Sequence, residues 1–187
     1  ANGKKYNGKK LALCVPQDSL VQFSILDPIK KVLKNTIQCK PLCRTYALFK
    51  KEDIWFKDLG KKVITNNPLR FIIPMDSEKG LIMISYTDDI YTNYWKNKNE
   101  KEVKDAIVKY VKETFDLTIN PPIKTWVYYW DSGVAYWKKG INSDAMSKFI
   151  VNPMPNIFIC GENYSLNQSW VEGALETCDN CLKEIKL

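Results

Sequence analysis

A chain of 187 residues that is 45% hydrophobic, with six Trp, ten Tyr and seven Phe, holds enough material for a sizeable packed core, which argues against intrinsic disorder. Its net charge of +7 comes from scattered lysines and only two arginines, Arg44 and Arg70. That pattern fits a lysine-rich solubilising surface better than the arginine forks of a specific nucleic-acid reader. With no histidine, the chain has no His-based triad, no His-metal site and no histidine general base.

The polar, basic opening from Ala1 to Lys10 has no apolar segment behind it, so it is not a secretory signal as it stands. It reads as a disordered or expression-derived tail, or as the cut end of a longer chain. No apolar run approaches the roughly 18 residues of a membrane span. The six cysteines are then expected to be free thiols in a cytoplasmic or other reducing compartment. Cys178 and Cys181 form a C-x-x-C pair, but inside a helical stretch, whereas redox pairs open a helix after a strand. Buried or half-buried thiols are the expectation, with no metal.

In chain order, Lys10 to Val15 reads as a short buried strand ended by Pro16. Asp18 and Ser19 could cap a short helix carrying Leu20, Val21 and Phe23. Pro28 suits the first position of a second helix, with Ile29, Val32 and Leu33 on one side. A strand follows over Cys43 to Phe49. Two further strands, Arg70 to Pro74 and Leu81 to Tyr86, are joined by a loop with the length and the glycine of a hairpin. The spacing of Val103, Ala106, Ile107, Tyr110, Val111 and Phe115 predicts a helix from Glu100 to Phe115, stopped by Asn120-Pro-Pro122.

Ile123 to Trp130 is strand-like and aromatic, and Asp131 to Asn156 is loop-rich, with Gly133, Gly140, Pro153 and Pro155. Ile157 to Cys160 is a buried strand running into Gly161. Trp170 to Ile185 is a helix with Val171, Ala174, Leu175, Cys178 and Leu182 on one face. Strands and helices mix without regular alternation, so the class is α+β.

The chemistry concentrates between Asn156 and Glu176. A strand ends at Gly161, where a ligand could approach the backbone, and Glu162 follows at once. A polar loop then leads to a helix start near Ser169, whose first N–H groups suit an anionic or carbonyl-bearing ligand. Gly173 in the first turn permits close packing. Read without further context, Glu162 could equally be a capping or salt-bridged carboxylate.

The residues Cys160-Gly161-Glu162 and Trp170-Val171-Glu172-Gly173-Ala174 resemble the C-terminal flavin-contact motif of the monoamine and polyamine oxidase family. The resemblance implies FAD as cofactor, with Gly161 and Glu162 beside its ribityl and pyrophosphate part. It also places the Val171 N–H toward the flavin pyrimidine carbonyl and Gly173 within the same motif. Trp126 to Gly140 looks like the family's Trp-centred segment, and implies that Tyr136 and Trp170 are two aromatic walls around a substrate amine. Two core aromatics are the plainer alternative.

Ala135 stands where covalent family members carry cysteine, so any FAD would be non-covalent. Lys79 lies in the order expected for the family's lysine that reaches flavin N5 through water, although an exposed hairpin lysine explains it as well. The strand ending Leu13-Cys14-Val15-Pro16 is also similar to a family strand, and the composition suits the amine oxidase-like proteins of large DNA viruses. The resemblance further implies a largely antiparallel sheet with flanking helices.

The implied division is a tail over 1–10, a substrate-domain-like region over 11–155 and a flavin-contact strand, loop and helix over 156–187. The Gly-x-Gly-x-x-Gly turn that grips the ADP part of FAD is not found in these residues. The expectation is therefore an oxidoreductase of amines or polyamines whose N-terminal dinucleotide-binding half is missing here, leaving the isolated chain inactive. The alternative is a non-catalytic binding or scaffold module on the same fold. Asp88 and Asp89 could attract a polyamine, and an exposed apolar face could drive self-association into a homo-oligomer.

Overall fold

The computed structural model describes residues 4–185. In chain order the helices and strands are β1 (Leu11–Leu13), α1 (Gln17–Leu20), α2 (Lys30–Thr36), β2 (Ile37–Leu48), β3 (Val63–Ile64), β4 (Phe71–Asp76), β5 (Leu81–Asp88), α3 (Glu100–Phe115), β6 (Lys124–Trp137), α4 (Ser143–Val151), β7 (Ile157–Ile159) and α5 (Val171–Ile185). Short 3-10 segments include Ser24–Ile29 and Glu162–Tyr164. The fold is α+β, as the mixed pattern predicts. Of the expected 1–10 tail, residues 4–10 form neither helix nor strand and are exposed, and residues 1–3 lie outside the described residues.

The chain folds as two compact units. One holds Lys40–Gly133; the other holds the described residues up to Cys39 and from Val134 onward. Residues 11–155 therefore contribute to both.

The Lys40–Gly133 unit is built on a five-stranded sheet in the order β3-β4-β5-β2-β6. β5 lies antiparallel to both β2 and β4. β5 is thus paired along both edges, and because consecutive side chains point to opposite faces, the burial of Ile82 to Ser85 shows that both of its faces are covered. Against the sheet packs the face of α3 formed by Val103, Ala106, Ile107 and Val111, together with Trp95. Each fully buried side chain of this kind, Ile84 and Ile107 among them, stabilises the unit by roughly 1.5–3 kcal/mol. The indole N–H of Trp95 donates to the Pro68 carbonyl at 2.9 Å, so its polar atom is not stranded in the core.

The bounds of α3 agree with those predicted. The Asn99 side chain accepts from the Glu102 N–H at 3.0 Å, and the Glu102 carboxylate accepts from the Asn99 N–H at 2.8 Å. This reciprocal box satisfies two N–H groups that a helix start leaves unpaired. Asp116 closes the other end in the left-handed conformation.

The other unit pairs β1 with β7 in parallel, Leu13 opposite Ile159. Leu20, Leu26, Ile29, Leu33, Ile37, Ala135, Ile150 and Tyr164 surround that pair as its core. Three expectations are corrected here. Neither Asp18 nor Ser19 caps α1: Pro16 occupies the cap position without a side-chain bond. Pro28 falls inside the 3-10 segment ahead of α2, where φ near −65° and a missing N–H are tolerated. The stretch from Asp131 to Asn156 is not mainly loop, because β6 runs on to Trp137 and α4 occupies Ser143–Val151, its start capped by Asn142 accepting from the Ala145 N–H.

Replacing Asn99 by alanine is expected to destabilise the Lys40–Gly133 unit by about 1 kcal/mol. Denaturant melts, with hydrogen exchange on the α3 amides, would check this; unchanged protection in the first turn would contradict the capping role.

Candidate functional site

The connection from β7 to α5 runs from Cys160 to Trp170 and is almost without sheet partners, so its polar backbone must be satisfied by side chains. Gly161 begins it with φ +139° and ψ 164°, a region that side chains other than hydrogen rarely allow. A Cβ placed there would meet nothing within 4 Å, so the position faces open space and not packed protein. The Gly161 N–H donates to Thr177 Oγ1 at 2.8 Å, and that hydroxyl's single proton faces the carbonyls of Gly161, Gly173 and Ala174 at 3.0–3.1 Å.

Gly173 is glycine for a different reason. Its φ is ordinary, but a Cβ there would lie 2.2 Å from both the Asn167 carbonyl oxygen and Ser165 Oγ. The loop presses directly on the first turn of α5, as the sequence reading expects.

Glu162 ties the loop together. One carboxylate oxygen accepts from the Ser169 N–H at 2.8 Å and the other from the Asn163 side-chain amide. An ionised carboxylate offers about four lone-pair sites, so these two bonds leave acceptor capacity for a ligand hydroxyl. Asn163 accepts from the Gln17 N–H at 2.8 Å, and Gln168 donates to the Asn163 carbonyl at 2.6 Å while accepting from the Trp137 N–H at 2.8 Å. Tyr164 is buried and donates to the Leu33 carbonyl at 3.1 Å; burial raises its phenol above the ordinary value. Between these elements lies a cavity of about 250 Å³, lined by Cys14, Pro16, Ile159, Gly161, Tyr164 and Ala174 among others.

Ser169 has φ +67° and turns the chain into α5. Its hydroxyl accepts from the Ala135 N–H at 3.3 Å and donates to the Ala135 carbonyl at 3.2 Å. This clasp sets the end of β6 beside the start of α5. Tyr136 and Trp170 are the next residues in sequence after the two clasped ones, and are 40% and 70% exposed.

Six of the predicted site residues (Tyr136, Gly161, Glu162, Trp170, Val171 and Gly173) thus belong to one compact unit. Lys79 belongs to the other. It sits in the β4–β5 hairpin, 82% exposed, with its ammonium 3.1 Å from the Asp76 carboxylate. The Lys79 backbone N–H also donates to Asp76 at 3.0 Å, and these bonds hold the Asp76 carboxyl below its ordinary value. Asp89 is ion-paired with Lys40. The aromatic segment is divided at Gly133: Trp126, Tyr128 and Trp130 line an open depression of about 460 Å³ with Tyr46 and Leu81 in the Lys40–Gly133 unit.

The face of α5 needs correction. Its buried residues are Gly173, Thr177 and Cys181, whereas Val171, Leu175, Cys178 and Leu182, read as parts of one apolar face, are exposed. A polar Thr is selected for the inner face because the Gly161 peptide requires a partner there, a demand that an apolar periodicity does not register. Among the described residues there is no cluster of three or more acidic, His or Cys side chains able to hold a metal ion, and no helix is long and apolar enough to cross a membrane.

A family profile described as flavin containing amine oxidoreductase matches residues 3–180. An uncharacterized protein of Acanthamoeba polyphaga mimivirus is 24% identical across 93% of this chain. The chain spans 39% of that relative's length.

A Gly173→Ala substitution is expected to cost about 1–3 kcal/mol by forcing the 165–167 loop off the helix. Thermal unfolding of this variant tests the packing, and a loss below about 0.5 kcal/mol would show that the loop yields freely.

Proposed function

The chain belongs to the flavin-containing amine oxidoreductases, and on that premise we propose that it supplies the flavin-contact edge and an amine-facing wall of an FAD-dependent amine or polyamine oxidase. The observation that carries this reading is the notch at Gly161, where a positive φ and open space coincide beside a carboxylate held by its own loop. The residues fit part of the cofactor. A cavity of about 250 Å³ suits the flavin's ribityl end and not a whole dinucleotide, so the ADP part would be gripped by a dinucleotide-binding segment outside these residues.

In this reading Glu162 would accept a hydrogen bond from a hydroxyl of the ribityl chain, because it retains acceptor capacity after binding the loop. The N–H of Val171, in the first turn of α5, lacks an intrahelical partner by its position and would donate to a pyrimidine carbonyl. Gly173 admits the loop that shapes this edge. Tyr136 and Trp170 would flank the substrate amine with their ring faces, excluding water and orienting the nitrogen. Lys79, in the Lys40–Gly133 unit and paired with Asp76, takes no part in this reading. Bound flavin would supply the electron sink that accepts a hydride equivalent from the amine.

A second reading, a non-catalytic binding module, is favoured by the exposed side chains of Trp170, Val171, Leu175 and Leu182 along α5. Competition titrations followed by flavin fluorescence separate the two. The oxidase reading predicts that riboflavin competes with FAD and that ADP does not. Absence of flavin binding by the folded chain, or competition by ADP alone, would contradict it.

A further inference from the structure

Cys14 and Cys160 each stand one residue beyond the ends of β1 and β7, the parallel pair in which Leu13 faces Ile159. The Cys160 N–H donates to the Leu13 carbonyl at 3.2 Å, so the two strand ends are held side by side. Their sulfurs are 3.1 Å apart. A disulfide requires a separation of about 2.05 Å, so a shift of about 1 Å would close the bond. Neither cysteine lies within the paired strand residues, which leaves the backbone freer to make that shift.

The two thiols differ in access. Cys14 is exposed, while Cys160 is buried and has Cys181, also buried, as a further thiol neighbour. We propose that Cys14 and Cys160 form a reversible intramolecular disulfide on exposure to a peroxide, a modification site on the wall of the cavity beside Gly161.

The asymmetry assigns the steps. The Cys14 thiolate attacks one oxygen of hydrogen peroxide, the O–O bond breaks and hydroxide leaves, giving a sulfenic acid on Cys14. The Cys160 sulfur then attacks the Cys14 sulfur. The S–OH bond breaks, and the departing hydroxide takes the Cys160 proton and leaves as water. In total two thiols lose two electrons and two protons, and one peroxide becomes two waters. Burial and the neighbouring Cys14 raise the Cys160 thiol above its ordinary value, so it resists ionisation and suits the resolving role better than the attacking one. A thiol–disulfide exchange reagent such as dithiothreitol reverses the bond. Because both residues line the cavity and Cys160 precedes Gly161, oxidation would tether the two strand ends that form its wall.

The test treats the reduced chain with one equivalent of hydrogen peroxide, then unfolds it in N-ethylmaleimide and maps the peptides. All six cysteines are free in the structure, so loss of one pair should leave four alkylated sites, with a linked peptide joining Cys14 to Cys160. Dithiothreitol should restore all six. In Cys160→Ser, which keeps the attacking thiol, Cys14 should instead be trapped as a sulfenic acid by dimedone; Cys14→Ser should keep its five remaining thiols alkylatable. A bond between Cys160 and Cys181 or between Cys178 and Cys181 would overturn the proposal. So would a link between chains, sulfinic acid at Cys14 in the unsubstituted chain, or six unreacted thiols.

Discussion

A single hydroxyl inside α5, that of Thr177, receives the N–H of Gly161 and turns its own proton toward carbonyls of Gly161 and of the helix. Nearly every other feature of the candidate site depends on this contact. It anchors the end of β7 to the middle of the helix that follows and lets the chain leave the strand at φ +139° without a stranded peptide group. With both ends of the connection set, the loop between them presses on α5, which only a glycine at 173 allows. Glu162, Asn163 and Gln168 then supply the bonds that neighbouring strands would otherwise provide. The cost of shaping the backbone is met inside the loop, and the notch at Gly161 stays open.

The same economy explains the clasp between Ser169 and Ala135. One hydroxyl both accepts from and donates to a single residue of β6, and so ties the residue before Tyr136 to the residue before Trp170. Two aromatic side chains that remain this exposed contribute little to their own unit's core. In a flavin-containing amine oxidoreductase the occupant we propose beside them is the substrate amine. The chain spans 39% of the length of its viral relative.

Much of the fold was legible in the sequence where local chemistry and burial agree. The helix over Glu100–Phe115 was readable because one apolar stripe and a following proline pair point the same way, and the capping box found in the structure agrees with them. The β4–β5 hairpin and the buried strand before Gly161 were equally plain. Reading failed where a long-range polar demand overrides the apolar period. α5 turns Thr177 inward and leaves Leu175 in solvent, because the Gly161 peptide must be bonded. The strand β6 runs past Gly133, since its partner lies far away in the chain. The site motif could be placed, but the residues that hold it in shape (Thr177, Gln168 and Asn163) carry no signature of their own.

The central claim is that the β7–α5 connection is a preformed flavin cradle. An amide-resolved NMR titration of the chain with FAD tests it most directly. The account predicts the largest shifts at the N–H groups of Gly161, Glu162 and Val171, without loss of the bonds around Thr177. Shifts confined to the aromatic depression of Tyr128 and Trp130, or none at saturating FAD, would contradict it.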